Sequence, residues 1–321
     1  MGSGGTQMRF DGLYGNEGLK ARLSAAFSGG RVSHCYLICG PEGSGKHTLA
    51  RILAAAMQCT GRGEVPCGVC SACRKVFDGQ HPDVIRVNDP DHKLIAVDVI
   101  RKMRADVFIR PNEGRRKIYI LEQDMGEPSQ NALLKILEEP PEYGAFLILA
   151  ANAEKLLATI RSRCAELSLS PLTAEEALPA LQKRFPDKPR SELCAALLHA
   201  GGFLGQAQAR LENGQPEHTE AFAAAFSGRD TLALLSVLVP MEKLKRDQLI
   251  PILEQWRMLL ADALAAKSGF PAESALAASV CRSRTGAELL GAVRSLQSAI
   301  DDLNANVGAG PVIGWLTTVL R

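Results

Sequence analysis

The stretch GPEGSGKHT at residues 40–48 predicts the fold of the first half of the chain. It follows the apolar run HCYLIC at 34–39 and leads into TLARILAAAM at 48–57, whose composition and period indicate a helix. A buried strand that enters a glycine-rich turn and then a helix is typical of the phosphate-binding loop G-x-x-x-x-G-K-[ST]. Its glycines let backbone N–H groups face a phosphate, and the helix N-terminus favours an anion there.

The stretch departs from this pattern at one position. His47 follows Lys46 where the pattern requires a hydroxyl that coordinates the magnesium ion of the nucleotide, and Thr48 comes one residue late. We predict a loop that can hold ATP or ADP, with or without Mg²⁺, and that is impaired in hydrolysis. The candidate nucleotide-binding residues are Gly40, Gly43, Ser44, Gly45, Lys46, His47 and Thr48.

A second strand should supply the carboxylates of such a site, one to hold magnesium and one to polarise the attacking water. The best candidate, KIYIL at 117–121, ends in Glu122-Gln123 instead of Asp-Glu. A glutamine can orient a water molecule but cannot accept its proton, so Gln123 is a poor general base. In the alternative interpretation Asp124, the next residue, takes over this role.

Further strand candidates alternate with helical patterns. The strands lie at 83–87, 117–121, 145–150 and 165–169, and helical patterns lie around 97–108 and 128–139. This alternation predicts an α/β fold in which helices cover both faces of a parallel sheet. After residue 170 the pattern changes: Thr173 and Glu176 form a capping box, and we find only helices beyond it.

The length of 321 residues suits two or three domains. We predict an α/β base domain at 8–170, a small helical domain at 171–213 and an all-α bundle at 214–321, divided at glycines 201, 202 and 214. Residues 1–7 are small and polar before Met8, and we interpret them as a non-native leader. The net charge of +2 does not by itself indicate a nucleic-acid partner.

Four of the nine cysteines form the pattern C-x7-C-x2-C-x2-C at Cys59, Cys67, Cys70 and Cys73. Two consecutive CxxC steps place thiolates on tight turns suited to tetrahedral zinc, and four protein ligands leave no open position, so the predicted Zn²⁺ site is structural. Four unrelated thiols are the disfavoured alternative. The clustering of the cysteines and the absence of a secretory signal favour a cytoplasmic protein. We also find no apolar run of about 18 residues that could span a membrane, and we predict no membrane partner.

Two sets of basic residues are open to more than one interpretation. Arg163, just before the strand at 165–169, could reach the γ-phosphate of a neighbouring subunit, although its context alone favours a solvated arginine. A basic cluster could contact a phosphate backbone or form a solvated face. It comprises Arg101, Lys102, Arg104, Arg110, Arg115, Arg116 and Lys117.

Together these stretches resemble the clamp-loader branch of the AAA+ family. The resemblance spans most of the chain and rests on the loop, the four-cysteine insert after its helix, and several further motifs. These are SHCYL at 33–37, HPD at 81–83, RPNEGRRK at 110–117, NALLKILEEPP at 131–141, SRC at 162–164 and LNAN at 303–306.

The resemblance implies a hetero-pentameric ring that opens a sliding clamp and loads it onto primed DNA, with ATP at subunit interfaces. It implies that Arg163 is an arginine finger acting in trans, that 171–213 is the lid, that 214–321 is the collar, and that zinc stabilises the base-domain insert. The implied partners are the delta and gamma/tau subunits of the DNA polymerase III (nucleotidyltransferase) holoenzyme, the sliding clamp and, indirectly, primer–template DNA.

Departures from the ATP-active pattern favour a subunit of the delta-prime type. By the resemblance, Gln206 of the lid stands where ATP-active relatives usually have an arginine that senses the γ-phosphate, whereas Asn152 in the sensor strand is still polar. With His47 and Gln123, this predicts a stator with little or no ATPase. The alternatives are an active motor of the gamma/tau type and an independent DNA-binding module built on the basic cluster.

Overall fold

The structure, a computed structural model, describes residues 7–213, 217–272 and 274–320. It divides into two compact units, Met1–Leu211 and Glu212–Arg321. Most of the predicted leader, 1–6, and the predicted boundary residue Gly214 lie outside the described residues. The separation of a base from a lid at residue 170 stays a prediction.

The first unit contains a five-stranded parallel sheet, as the sequence predicts. Its strands are β1 (Cys35–Cys39), β2 (Val84–Val87), β3 (Lys117–Leu121), β4 (Gly144–Ala150) and β5 (Ala165–Ser168), in the order β2-β3-β4-β1-β5. The helices that begin in this unit are α1 (Glu17–Ser28), α2 (Lys46–Gln58), α3 (Ser71–Phe77), α4 (Val97–Val107), α5 (Glu127–Glu138), α6 (Ala158–Arg161), α7 (Ala174–Arg184), α8 (Arg190–His199) and α9 (Leu204–Asn213).

The central strands are apolar because both faces of the sheet are covered. Every residue of β1, β3 and β4 is buried, which is the expected pattern for a parallel sheet between helical layers. Leu49 and Leu53 of α2 pack against one face. On the other face Leu133 of α5 packs near the stacked rings of Tyr119 and Phe146, whose centroids are 5.7 Å apart.

The position of β1 determines where the phosphate loop lies. β1 pairs in parallel with β4 on one side and with β5 on the other. Because the carboxyl ends of parallel strands meet at one edge, the segments that follow β1, β3 and β4 converge there. The loop thus lies beside the segment that carries Glu122.

A buried carboxylate fixes the segment that leads into β3. Asp83, in the HPD motif, accepts hydrogen bonds from the backbone N–H groups of Asn112, Glu113 and Gly114 at 2.6, 2.9 and 2.7 Å. Gln58, at the end of α2, binds the backbone of the next two residues. Its Oε1 accepts from the N–H groups of Arg115 and Arg116, and its Nε2 donates to the carbonyl oxygen of Arg116. Two of the motifs on which the family resemblance rests therefore contact each other directly.

The segment after the sheet is helical, as predicted. α7 begins with the predicted capping box: the N–H of Glu176 donates to Thr173 Oγ1, and the N–H of Thr173 donates to Glu176 Oε2. The helices α7, α8 and α9 share a small apolar core. Within the described ranges, no strand follows β5.

The second unit is all-helical in its described part. Its helices are α10 (Glu217–Gly228), α11 (Thr231–Leu238), α12 (Arg246–Lys267), α13 (Ala275–Ser283), α14 (Gly286–Asn304) and α15 (Ala309–Val319). Its core is centred on Trp256, which stacks on Phe222 with ring centroids 4.1 Å apart. Among the helices described in either unit, none has both the length and the apolar character needed to cross a bilayer.

We expect Asp83→Asn to lower the free energy of unfolding by about 2–3 kcal/mol at neutral pH, because it removes charge-assisted hydrogen bonds from a buried site. Burial alone would raise the pKa of Asp83, but the three backbone donors outweigh it and hold this pKa below its usual value. The stabilisation is therefore complete above the ordinary carboxyl pKa of about 4 and is lost as the pH falls through the lowered value.

Urea denaturation at a series of pH values measures this effect. The difference between the wild type and Asp83→Asn should shrink on the acid side. Asp98→Asn is the matched control, because Asp98 pairs with Arg101 at an exposed site. Equal effects of the two substitutions at neutral pH would contradict the assignment.

Candidate nucleotide and metal sites

The phosphate loop surrounds a cavity of about 580 Å³ at the carboxyl edge of the sheet. Gly43 and Gly45 have φ values of 73° and 97°, a conformation that favours glycine and that turns the loop into the start of α2. The cavity is lined by residues of the loop, of the segment after β3 and of the start of α9. The predicted loop residues from Gly43 to Thr48 all line it; Gly40 lies at the end of β1.

Lys46 is held by the loop itself. Its Nζ atom donates to the carbonyl oxygens of Gly40 and Pro41 at 2.5 and 2.8 Å. Burial lowers the pKa of Lys46, and the nearby carboxylates of Glu42 and Asp124 act against that shift. A nucleotide phosphate would have to replace the two carbonyl oxygens as the partner of this ammonium group.

The start of α9 packs directly on the loop. The N–H of Gly205 donates to the carbonyl oxygen of Gly43 at 2.9 Å, and Gln206 Nε2 donates to the carbonyl oxygen of Glu42 at 2.8 Å. A Cβ atom at position 205 would lie 2.7 Å from Gly43 Cα. Gln206 therefore binds the loop backbone, and its neighbour Gly205 has no space for a side chain.

Glu122 forms an ion pair on the sheet. Arg86 of β2 binds its two carboxylate oxygens with Nε and NH2 at 2.7 and 2.9 Å. His47 Nδ1 lies 3.5 Å from Glu122 Oε1. The pairing of β2 with β3 puts Arg86 opposite Ile120, so Arg86 and Glu122 project from the same face of the sheet.

Gln123 does not line the loop cavity and is bound to another segment of the chain. Its Oε1 accepts from the N–H of Asp89 at 2.5 Å, and its Nε2 donates to the carbonyl oxygens of Asp89 and His92 at 3.1 and 3.2 Å. The side chain thus fixes the loop between β2 and α4. The sequence predicts that Gln123 is a poor general base, and in the structure its side chain is also not among the residues that line the loop cavity.

The other two polar candidates are also engaged. Asp124 lines the cavity, and its Oδ2 atom lies 3.1 Å from Lys155 Nζ. Asn152 Oδ1 accepts from the N–H of Glu154 at 2.9 Å and caps the short 3₁₀ turn that follows β4.

These residues do not fit a magnesium ion. Mg²⁺ requires oxygen ligands in octahedral geometry at about 2.0–2.1 Å. At the position of the loop hydroxyl the chain has the imidazole of His47, and both oxygens of Glu122 already accept from a guanidinium group. The Thr48 hydroxyl belongs to the next position of α2, a rotation of about 100° around the helix axis.

The four predicted cysteine ligands form one cluster between α2 and α3. Their Sγ atoms all lie within 4.8 Å of one another. Sulfur atoms also accept from nearby backbone N–H groups: those of Gly61 and Cys67 donate to Cys59, that of Cys70 donates to Cys67, and that of Cys73 donates to Cys70, each at 3.4 Å. The local turns therefore present the sulfur atoms toward a common centre.

This donor set fits zinc. Four thiolates at Zn–S distances of about 2.3 Å have sulfur atoms about 3.8 Å apart, and the Sγ atoms of Cys67 and Cys73 are 4.0 Å apart. A Cβ atom at Gly61 would lie 2.9 Å from the Cys67 sulfur, so the turn excludes a side chain from the cluster. Burial opposes ionisation of Cys70, but backbone donors, with that of Cys73 first, lower the pKa of its thiol to about 5.

We expect the purified chain to contain one equivalent of zinc. The Cys67→Ser and Cys70→Ser variants should lose this zinc. They should also unfold at a lower temperature, because structural zinc contributes directly to folding. Elemental analysis and thermal denaturation measure the two effects. Cys194→Ser, at a half-buried cysteine of α8, is the matched control. Zinc-free wild type from zinc-supplemented medium would contradict this prediction.

Arg163 lies between α6 and β5, away from the chain's own phosphate loop. It is not among the residues that line the loop cavity. Its NH2 atom lies 3.1 Å from Glu138 Oε1 at the end of α5, and NH1 donates to the carbonyl oxygen of Thr159 at 2.9 Å. The guanidinium group is thus partly exposed and fixed in direction.

The basic cluster is smaller than the sequence suggests. Lys117 opens the buried strand β3, and its Nζ atom lies 2.9 Å from Asp106 Oδ1. Its side chain is only 6% exposed, so Lys117 does not belong to a surface cluster. Arg101 is exposed and pairs with Asp98 on the same helix, as solvated residues do.

Sequence reasoning missed Arg86 and Gly205. A charged residue within the short apolar strand pattern DVIRV was a signal that one face of β2 carries a polar contact. Gly205 gave no comparable signal, because its function depends on a backbone contact with a loop about 160 residues earlier in the chain.

Residues 15–173 match the family model described as DNA polymerase III, delta subunit. The tau subunit of DNA polymerase III from Escherichia coli K12 is 30% identical over 274 residues, which are 79% of this chain and 42% of that protein. The tau subunit from Bacillus subtilis is 33% identical over 178 residues, or 54% of this chain and 31% of that protein. The chain thus spans less than half of these relatives.

The chain also aligns with a solved structure of a DNA polymerase III gamma subunit-related protein from Thermotoga maritima. The alignment covers 90% of this chain and 96% of that chain, at 16% identity and with a TM-score of 0.47.

Proposed function

Because residues 15–173 share the clamp-loader family of DNA polymerase III with these relatives, we propose that the chain is a stator subunit of the delta-prime type. It helps to load the sliding clamp onto primed DNA as a member of a hetero-pentameric ring with delta and gamma/tau subunits. It contacts primer–template DNA only indirectly, and it does not itself hydrolyse ATP.

The observation that carries this proposal is the engagement of Glu122 and Gln123. At the two positions where a hydrolytic site needs a metal-binding and a water-activating carboxylate, one side chain is bound by Arg86 and the other fixes a loop. Gln206, at the lid position where ATP-active relatives usually have an arginine, donates instead to the carbonyl oxygen of Glu42 in the loop. The glycines and Lys46, which shape a phosphate cradle, are retained.

We propose that Arg163 is the working residue of the subunit and serves the ATP site of a neighbour. Its contacts with Glu138 and the Thr159 carbonyl leave the guanidinium group partly exposed and limit its conformations, so that little side-chain entropy is lost when it meets a phosphate. In this assembly 171–213 is the lid, 214–321 is the collar, and zinc on the four thiolates stabilises the insert of the base domain.

A motor ATPase of the gamma/tau type is the second candidate. The names of the relatives favour it, since the two that are 30% and 33% identical are tau subunits. In this case the Thr48 hydroxyl coordinates magnesium in place of His47, or Asp124 polarises the attacking water in place of Gln123. The rate of ATP hydrolysis distinguishes the two candidates.

We expect the isolated chain to show no ATP hydrolysis above that of Lys46→Ala, because Arg86 binds both oxygens of Glu122 and the side chain of Gln123 is engaged with the loop before α4. Phosphate release under excess ATP and Mg²⁺ measures this, with a catalytically active gamma/tau subunit as the positive control. Turnover that is abolished by Lys46→Ala would favour the motor candidate instead.

We expect Arg163→Ala to fold normally and to lower the ATPase rate of a reconstituted loader by about ten-fold or more, as the loss of an arginine finger does. Arg161→Ala, an exposed arginine two residues earlier, is the matched control. An unchanged rate with Arg163→Ala in a fully assembled ring would contradict the role in trans.

The third interpretation, an independent DNA-binding module, predicts strong and salt-dependent DNA affinity of the isolated chain. The burial of Lys117 and the pairing of Arg101 with Asp98 weaken it.

A further inference from the structure

We infer that the phosphate loop of this chain binds nucleotide without a divalent cation, because Arg86 already neutralises Glu122, the carboxylate whose charge a magnesium ion would otherwise balance. The inference rests on the proposed function and concerns the same site. It follows from the disagreement between the residues at the loop and the ligands that magnesium requires.

The first step is the pairing of Glu122. Its side chain is only 10% exposed, and a carboxylate this deeply buried needs an ionic partner. Arg86 provides one in a bidentate arrangement, which matches the planar guanidinium group to both oxygens. A magnesium ion at Glu122 would have to displace this guanidinium group and leave it beside a second cation.

The second step is the position of His47. The side chain lines both the nucleotide cavity and a second cavity of about 260 Å³ under α2, and Glu122 lines both as well. Arg86 and Arg51 line the second cavity from β2 and α2. Arg86, Arg51 and His47 thus lie near Glu122 behind the loop, in a cavity that the carboxylate Asp78 also lines.

The third step is charge balance at the polyphosphate. An unpaired Glu122 would repel a nucleotide, and a magnesium ion normally removes that repulsion. Here Arg86 neutralises Glu122, and Lys155 pairs with Asp124, which also lines the cavity. Glu42 lines the cavity as well, and Lys46 and the N-terminus of α2 remain for the phosphates. The site therefore has its counter-charge built into the protein, and Mg²⁺ contributes little to binding.

Titration calorimetry of the full chain with ATP and with ADP, in excess EDTA and in excess MgCl2, tests this inference. The dissociation constants in the two buffers should agree within about two-fold. A loss of about ten-fold or more in EDTA, or no binding in either buffer, would overturn it. Magnesium-dependent binding without turnover would leave the proposed stator function intact, whereas turnover would overturn that function.

Two variants test the residues. In Arg86→Ala the freed Glu122 should weaken binding in EDTA by about ten-fold, and MgCl2 should restore it. His47→Thr combined with Arg86→Ala restores an oxygen ligand after Lys46 and should increase the dependence on Mg²⁺ further. Arg101→Ala, which removes an exposed ion pair outside the site, should behave as the wild type.

Circular dichroism and thermal denaturation confirm that each variant is folded. Glu122→Gln removes the carboxylate without leaving a buried charge, and it should keep metal-independent binding. Metal-independent binding by a folded Arg86→Ala variant, as strong as that of the wild type, would show that Arg86 has no such function.

Discussion

The bidentate ion pair between Arg86 and Glu122 is the constraint on which the chemistry of the site depends. It exists because β2 pairs in parallel with β3, so that residues two positions apart along the sheet face the same side. Glu122, at the end of β3, is then neutralised by Arg86, whose own side chain is 64% exposed. An ion pair thus lies at the carboxyl edge of the sheet, beside the loop that follows β1.

The loop itself is stabilised by contacts that do not involve a ligand. Lys46 binds two loop carbonyl groups, and the start of α9 binds the loop backbone through Gly205 and Gln206. The close packing of Gly43 on Gly205 requires the absence of both side chains. The loop is therefore a structural junction between β1 and the start of α9.

The sequence predicted the sheet, the capping box of α7 and the composition of the thiol cluster with good accuracy. Apolar runs show where buried strands lie, and the two CxxC steps define turns within a few residues, so local chain geometry brings the sulfur atoms together. It did not predict that Lys117 is buried, and it did not predict the partners of Gln123. Both are polar residues next to a buried strand, and only their distant partners show that one is buried and the other engaged with a loop.

The sequence alone thus determined the strand–loop–helix unit, the α/β class and the candidate ligands, because these depend on periodicity and on short spacings. The tertiary structure decided which polar groups remain available for chemistry. Arg86 meets Glu122 across 36 residues, and Gln206 meets Glu42 across 164 residues. Contacts at such separations depend on strand order and helix packing, which no local pattern encodes.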